Sequence, residues 1–349
     1  MDSPQIPQPP SASASGWAPP PPPPPPKPPL RRLLRWVLLL VLVISLVTNC
    51  VLWMVTSNLF SGHSGPSERF HAGSHTAKDK LAIIEISGTI MPPFTDRTLR
   101  AIKHALDDKH VKGVLLQVDS PGGFVADSHQ IYHRLKELAE KKPIVVSMKS
   151  LAASGGYYVA MGAGAKGRIF AEPTTWTGSI GVIIPRYEFI GLKEKLGIDS
   201  KPLKTGEFKD ALSPFHPLSD NEKAVWDNIL QQAFERFITV IDENRQPLTR
   251  ENVKKLATGQ IYTADDALKF GLIDAIGFEE DALKELKSVA KVTDPKVVKY
   301  EFPSGVVDLL LGSQARQDPA AQWRDWLEAT VPRAMFYCSW APAIPHRIP

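Results

Sequence analysis

The chain has 349 residues and a formal net charge of +4, with 41 basic against 37 acidic side chains. That length fits one large or two ordinary domains, and so mild a charge excess argues against a nucleic-acid partner. With only Cys50 and Cys338, a disulfide framework is not expected, and no CxxC or Cys/His cluster points to zinc.

Residues 1–30 are rich in Pro, Ser and Ala, with unbroken proline from Pro19 to Pro26. Proline lacks the amide donor and locks φ, so an extended, disordered, cytoplasmic arm is expected, serving as a spacer or as a ligand for a proline-binding partner. A membrane span is expected over 31–56. Residues 36–55 carry no charge, and at about 1.5 Å per residue they reach roughly 30 Å, one bilayer core. Trp36 and Trp53 sit near the ends as interface anchors do. Lys27, Arg31, Arg32 and Arg35 precede the run, while 57–67 has no Lys or Arg, so the positive-inside rule puts the N-terminus in the cytoplasm and the rest outside. The run is long and lacks a small-x-small cleavage site, which counts against a removed signal peptide. Cys50, in mid-run after Asn49, makes a poor lipid-attachment site.

A polar linker is expected over 57–79 and a globular domain over 80–290. Strands are predicted at 81–87, 111–118 and 143–148. Helices are predicted at 95–106, 127–139, 221–245, 250–256, 264–270 and 279–289. Alternating strands and helices, with an apolar centre in 111–118, imply a parallel sheet in an α/β domain. Beyond 291 the pattern weakens. The apolar run 306–311 and the helically spaced Trp323, Trp326, Leu327 and Val331 fit packing on the domain, on a sister subunit or on a membrane surface.

Chemistry concentrates at Leu151-Ala152-Ala153-Ser154-Gly155-Gly156. An apolar strand precedes Ser154 and a helical pattern follows it, so Ser154 falls at a strand-to-helix turn with its hydroxyl exposed and the Gly155 N–H unpaired. Small neighbours leave room for a second backbone. A nucleophile with its oxyanion held by the next amide fits, and so does a capping serine in a tight packing turn. Asp119-Ser120-Pro121-Gly122-Gly123 also lies between strand and helix. Its glycines permit close backbone approach, and the Gly123 N–H would complete a two-donor oxyanion hole. No phosphate-loop pattern occurs. For a base, His104, His110, His129, His133 and His216 lie in no recognisable triad context, and His129 with His133 at i,i+4 is more plainly a surface pair than a metal site. Lys209 serves as a base only where desolvation or nearby positive charge favours its neutral form, and a solvated lysine is the plainer reading.

The segments 119–123, 152–157, Thr177-Gly178-Ser179-Ile180-Gly181-Val182 and Thr205-Gly206-Glu207-Phe208-Lys209-Asp210 follow in order. With 259–274, the G-x-x-Y-x-x-x-x-A-x-x-x-G-L-[IV]-D pattern, they resemble the signal peptide peptidase A family of membrane-anchored serine–lysine peptidases. The resemblance covers about 80–290 and is to the short, single-domain form. It implies a ClpP/crotonase-like α/β fold, Ser154 as nucleophile, Lys209 as general base, Ser179 orienting the lysine, and Gly123 and Gly155 at the oxyanion. It implies no cofactor and no metal. It further implies peptide substrates and a homo-oligomeric ring whose sites draw serine and lysine from neighbouring subunits.

An extracytoplasmic, membrane-anchored endopeptidase acting on signal-peptide remnants or other hydrophobic peptides is therefore expected. Its competitors are a crotonase-like acyl-CoA enzyme, against which the membrane helix and lysine motif argue, and a non-catalytic membrane scaffold working through the proline arm, against which the intact Ser154/Lys209 pair argues.

Overall fold

The computed structural model describes residues 29–60, 65–302 and 334–338. The proline arm and the patterns at 306–311 and 323–331 lie outside them. The chain divides into two units, residues 1–62 and 63–349.

The described part of the first unit is one helix, α1 (Pro29–Phe60). Within it Leu33–Trp53 is long and apolar enough to cross a membrane. Between Leu33 and Trp53 its large apolar side chains are exposed, as the lipid-facing side chains of a membrane span would be.

The second unit is a mixed α/β domain. Its elements follow in order as β1 (Ser67–Gly73), β2 (Lys80–Ser87), α2 (Phe94–Asp107), β3 (Val111–Ser120), β4 (Gly122–Phe124), α3 (Val125–Ala139), β5 (Ile144–Ala153) and α4 (Gly155–Ala160). Then come β6 (Arg168–Ala171), β7 (Trp176–Gly178), α5 (Ile190–Leu196), α6 (Asp220–Asn244), α7 (Arg250–Leu256), β8 (Ile261–Thr263), α8 (Ala264–Lys269), β9 (Ala275–Ile276), α9 (Glu279–Val289), β10 (Lys296–Glu301) and β11 (Met335–Tyr337). The main sheet runs β1-β10-β2-β3-β5-β6-β9, with β7 joining β5 to β8. Pairs from β10 through β9 are parallel, as are β5 and β7, while β1 on β10 and β8 on β7 are antiparallel.

The apolar runs of β2, β3 and β5 are continuous because both sheet faces are covered. Alternate residues Ala82, Ile84, Ile86, Val114, Leu116, Val118, Val146 and Met148 join one core with α2, α3, α4 and α6. Leu81, Ile83, Leu115 and Val145 face the other way, onto Ala282, Leu283 and Leu286 of α9. The long helix α6 starts at a capping box: Ser219 accepts from the Glu222 N–H, and the Glu222 carboxylate accepts from the Ser219 N–H at 2.8 Å.

Two edges differ from the sequence expectation. Residues expected as linker include β1, which shows little hydrophobic pattern because it is an exposed edge strand with alternate positions half-buried. Residues assigned to the uncertain tail include β10, a strand inside the sheet between β1 and β2.

The 259–274 motif is a brace for the fold. Asp274 accepts from the Arg245 guanidinium at 2.9 Å and from the Ile169 N–H at 2.8 Å. Arg245, 3% exposed, also donates from Nε and Nη2 to the Gly271 carbonyl. The buried Tyr157 hydroxyl, three residues after Ser154, donates to the Leu272 carbonyl at 2.8 Å, tying the serine segment to this loop. Burial holds that phenol well above its ordinary pKa, so it is a permanent donor.

Candidate active site

The parallel strands β3 and β5 end beside one another, and their C-terminal turns make the site. After β3, the Asp119 carboxylate accepts from the Leu151 N–H at 3.1 Å, which holds this turn to β5. Ser120 Oγ donates to the Gly88 carbonyl at 2.6 Å and accepts from the Gly122 N–H at 3.1 Å. Gly122 then takes φ +100°, a value that only glycine adopts freely.

After β5, Ser154 turns the chain at φ 53°, ψ −114°. For a serine this is a sparsely populated conformation, costing about 1–3 kcal/mol and characteristic of functional turns. Its N–H is held by the Gly178 carbonyl at 2.7 Å. Ser154 is 1% exposed, and its Oγ has no hydrogen-bond partner among the described residues. The small residues beside it are a steric necessity. A Cβ on Gly155 would meet Ser128 Oγ at 2.7 Å, Gly122 Cα at 3.0 Å and the Gly123 nitrogen at 3.0 Å; one on Gly156 would meet the Ser120 carbonyl oxygen at 2.6 Å. The second backbone expected beside Ser154 is thus the 120–123 turn, and it brings the Gly123 and Gly155 amides together.

Ser179 is brought to the same place. Ala153 pairs with Gly178, so the residue after Gly178 flanks the strand end that leads into Ser154. Ser179 is 7% exposed, sits at φ 48°, and gives its N–H to the Gln260 carbonyl at 2.7 Å. Thr177 Oγ1 locks this register by donating to the Ala152 carbonyl at 2.6 Å.

Lys209 is not brought in. It lies in the 3-10 turn Glu207–Asp210 with its side chain in solvent, and it does not reach Ser154 Oγ. The neighbouring Lys204 is engaged otherwise, paired to Asp210 at 2.6 Å. That hydrogen bond raises the ammonium's pKa and lowers that of Asp210. His129 and His133 have separate partners: His129 Nδ1 lies 2.7 Å from the Tyr158 hydroxyl, and His133 faces Glu137. Desolvation, with Arg236 and His133 nearby, lowers the His129 pKa. Sequence reading passed over Ser128, a buried residue whose hydroxyl also has no described partner. Nothing in the sequence separates it from an ordinary helical serine.

The turn carrying Lys209 is clamped by His216. Its Nε2 lies 2.9 Å from the Asp210 carbonyl and its Nδ1 2.8 Å from the Pro217 carbonyl. Carbonyls only accept, so both contacts are satisfied only by the imidazolium. The Pro217 carbonyl first, then the Asp210 carbonyl and carboxylate, raise the histidine above its ordinary 6.5, against desolvation. A raised folded-state pKa stabilises the protonated form, so the clamp is complete below about pH 6.5 and fades as pH rises through the folded value. Limited proteolysis within 205–217 is therefore expected to speed up between pH 6 and pH 8 in wild type relative to His216→Gln. An unchanged ratio of the two rates would refute the clamp.

The residues that form this site lie within stretches matched by known families. The family model described as Peptidase family S49 matches residues 136–293, and that of Clp protease matches residues 75–177. A putative signal peptide peptidase SppA of Enterococcus faecium is 41% identical over 238 residues, 67% of this chain and 65% of the relative. The putative protease slr0021 of Synechocystis is 36% identical over 243 residues, 69% of this chain and 86% of the relative. The chain belongs to peptidase family S49. That is a serine protease family, and the chloroplastic serine protease SPPA of Arabidopsis thaliana is 32% identical over 265 residues, 70% of this chain but 38% of the relative. The chain spans just under two thirds of the Enterococcus relative and 61% of a putative protease of Methanocaldococcus jannaschii. The Clp protease match gives the parallel sheet its class, a ClpP-like α/β fold.

Proposed function

We propose that this chain is a membrane-anchored serine endopeptidase working through a Ser154–Lys209 dyad shared between neighbouring subunits of a homo-oligomeric ring. One observation carries the reading: a strained serine whose buried hydroxyl has no described partner, beside the clustered Gly123 and Gly155 amides. Ser128 and Ser147 are also buried without a described partner, so what singles out Ser154 is its positive-φ turn at the strand end and the amides beside it. Ser154 Oγ attacks the scissile carbonyl, and the neutral Lys209 amine takes the hydroxyl proton. The Gly123 and Gly155 N–H groups hold the developing oxyanion, a role often worth several kcal/mol. The ammonium then protonates the leaving amine, and water, deprotonated by the same lysine, releases the acyl group. Ser179 directs the amine. The exposed Lys209 of one chain fits donation to its neighbour's serine.

Signal-peptide remnants and other hydrophobic peptides are the substrates this reading favours, since α1 would hold the domain at a bilayer surface, with residues 1–30 cytoplasmic and the peptidase domain outside. Protease added to spheroplasts should then digest the domain. Digestion of the proline arm alone would reverse the orientation.

The dyad is tested by Lys209→Ala, expected to lower kcat/KM on a hydrophobic peptide by about 10²–10⁴-fold, the range for losing a general base. Wild-type activity should rise with pH, because only the neutral amine is a base. Lys204→Ala, which removes a brace on Asp210, should cost far less. Equal losses would place the base elsewhere.

A further inference from the structure

The two amides assigned to the oxyanion stand at the heads of two helices. Gly123 lies just before α3, and Gly155 is the first residue of α4. Whatever fixes the distance between these helices therefore fixes the distance between the donors. One contact between them is steric: a Cβ on Gly155 would meet Ser128 Oγ of α3 at 2.7 Å. Further along α4 comes a hydrogen bond, where the Tyr158 hydroxyl lies 2.7 Å from His129 Nδ1 of α3.

Both ends of that bond are held by packing. Tyr158 is fully buried, and its ring stands edge-on to Tyr132 at 5.4 Å and to Phe237 at 5.0 Å between centroids. Its N–H donates to the Ser154 carbonyl at 2.8 Å, so the nucleophile rides on the same turn of backbone. His129 is exposed on its outer side and stacks on the Tyr132 ring at 5.9 Å. Burial keeps the Tyr158 phenol well above its ordinary pKa. Desolvation, with Arg236 of α6 and His133 of α3 adding to it, keeps the His129 imidazole neutral. Among the described residues the hydroxyl has no other acceptor, so it donates to the ring nitrogen. Phenylalanine at 158 would fill the same apolar space with no partner to supply. The hydroxyl's contribution is thus the link itself.

We propose that the His129–Tyr158 hydrogen bond is a strut that holds α3 and α4 at the spacing the oxyanion requires, making both side chains positioning residues for the hydrolysis. The proposal rests on the peptidase reading above. Each side chain acts through its helix and not on the substrate. The oxyanion gathers its charge only as the reaction proceeds, so donor spacing matters more to the transition state than to the bound peptide. Loosening the strut lowers kcat and spares KM.

The test uses the purified full chain in detergent, with a fluorogenic hydrophobic peptide as substrate and a peptide aldehyde as inhibitor, whose adduct with serine carries an oxyanion. Tyr158→Phe removes the donor and keeps the ring; His129→Leu removes the acceptor. Each should lower kcat by about 10–100-fold, the scale for a misplaced catalytic group, with KM changed less than about twofold. Aldehyde affinity should weaken by the same factor as kcat/KM. The double variant should lose no more than the worse single one, since both changes cut one bond. His129→Asn, whose amide oxygen can accept in place of Nδ1, should recover most of kcat. Thermal unfolding checks that each variant is folded. Folded variants with wild-type kcat, or with a raised KM alone, overturn the strut and leave the peptidase reading standing. Additive losses in the double variant, or no recovery in His129→Asn, also overturn it, because the bond is then not the unit that acts. A wild-type chain inert on the peptide and blind to the aldehyde overturns both readings.

Discussion

Replacing Ser154 with alanine is expected to abolish peptide hydrolysis and leave the domain as stable as wild type, or more so. Loss of a nucleophilic serine costs about 10⁶-fold in kcat where it has been measured in serine proteases, so the remainder should sit near background. The stability half of the result follows from the same geometry. The hydroxyl that disappears is buried with no described partner, and removing an unsatisfied buried group relieves a desolvation cost of about 1–3 kcal/mol. Alanine at φ 53° is no more strained than serine there, so nothing offsets that relief. For a domain of this size, each kcal/mol corresponds to about 2–4 °C in Tm. A capping or packing serine would behave oppositely, with Tm falling and activity surviving. A serine-directed fluorophosphonate should label wild type at Ser154 and leave the variant unlabelled. Labelling elsewhere, or full activity in the variant, would remove Ser154 from the chemistry.

The parallel core was legible because residues buried on both faces need no polar alternation. The apolar runs of β2, β3 and β5 therefore stand out from the flanking sequence. The edge strands were not. β1 has only alternate positions half-buried, so residues such as Glu68 and Arg69 read as linker. β10 is assigned by its partners, β1 and β2, and its six residues Lys-Val-Val-Lys-Tyr-Glu carry too short a pattern to announce that place. β11 owes its position to a non-local pairing with the glycine turn, which no local periodicity encodes.

Within the site, small residues were the readable signal. A run of Ala and Gly around Ser154 has no hydrophobic reason to exist, and the structure supplies a steric one in the 120–123 turn. The motif 177–182 was readable only as a pattern, and its physical content is a register. Ala153 opposite Gly178 places Ser179 next to the strand end that leads into Ser154. The lysine motif is the reverse case. Its sequence is clear, but its turn leaves the amine in solvent, because nothing among the described residues draws it inward.

That separation makes complementation the decisive experiment on the assembly. Chains carrying Ser154→Ala keep Lys209, and chains carrying Lys209→Ala keep Ser154. Each alone should be inactive. In a ring with a repeated head-to-tail interface, every site is built from one chain's serine and the next chain's lysine. Random mixing in equal amounts then gives an intact pair at about one junction in four, and about a quarter of wild-type activity should return. The sign of the effect is unambiguous, since two dead proteins regain function only by pooling residues. A site complete within each chain predicts the contrary: every site in the mixture stays broken and activity stays at background. Mixed assembly must be verified independently, by pulling down one tagged variant and detecting the other by mass. Background activity from verified mixed rings would refute the shared site and return Lys209 to its own chain's serine, which would then require the 206–217 turn to fold inward on substrate binding.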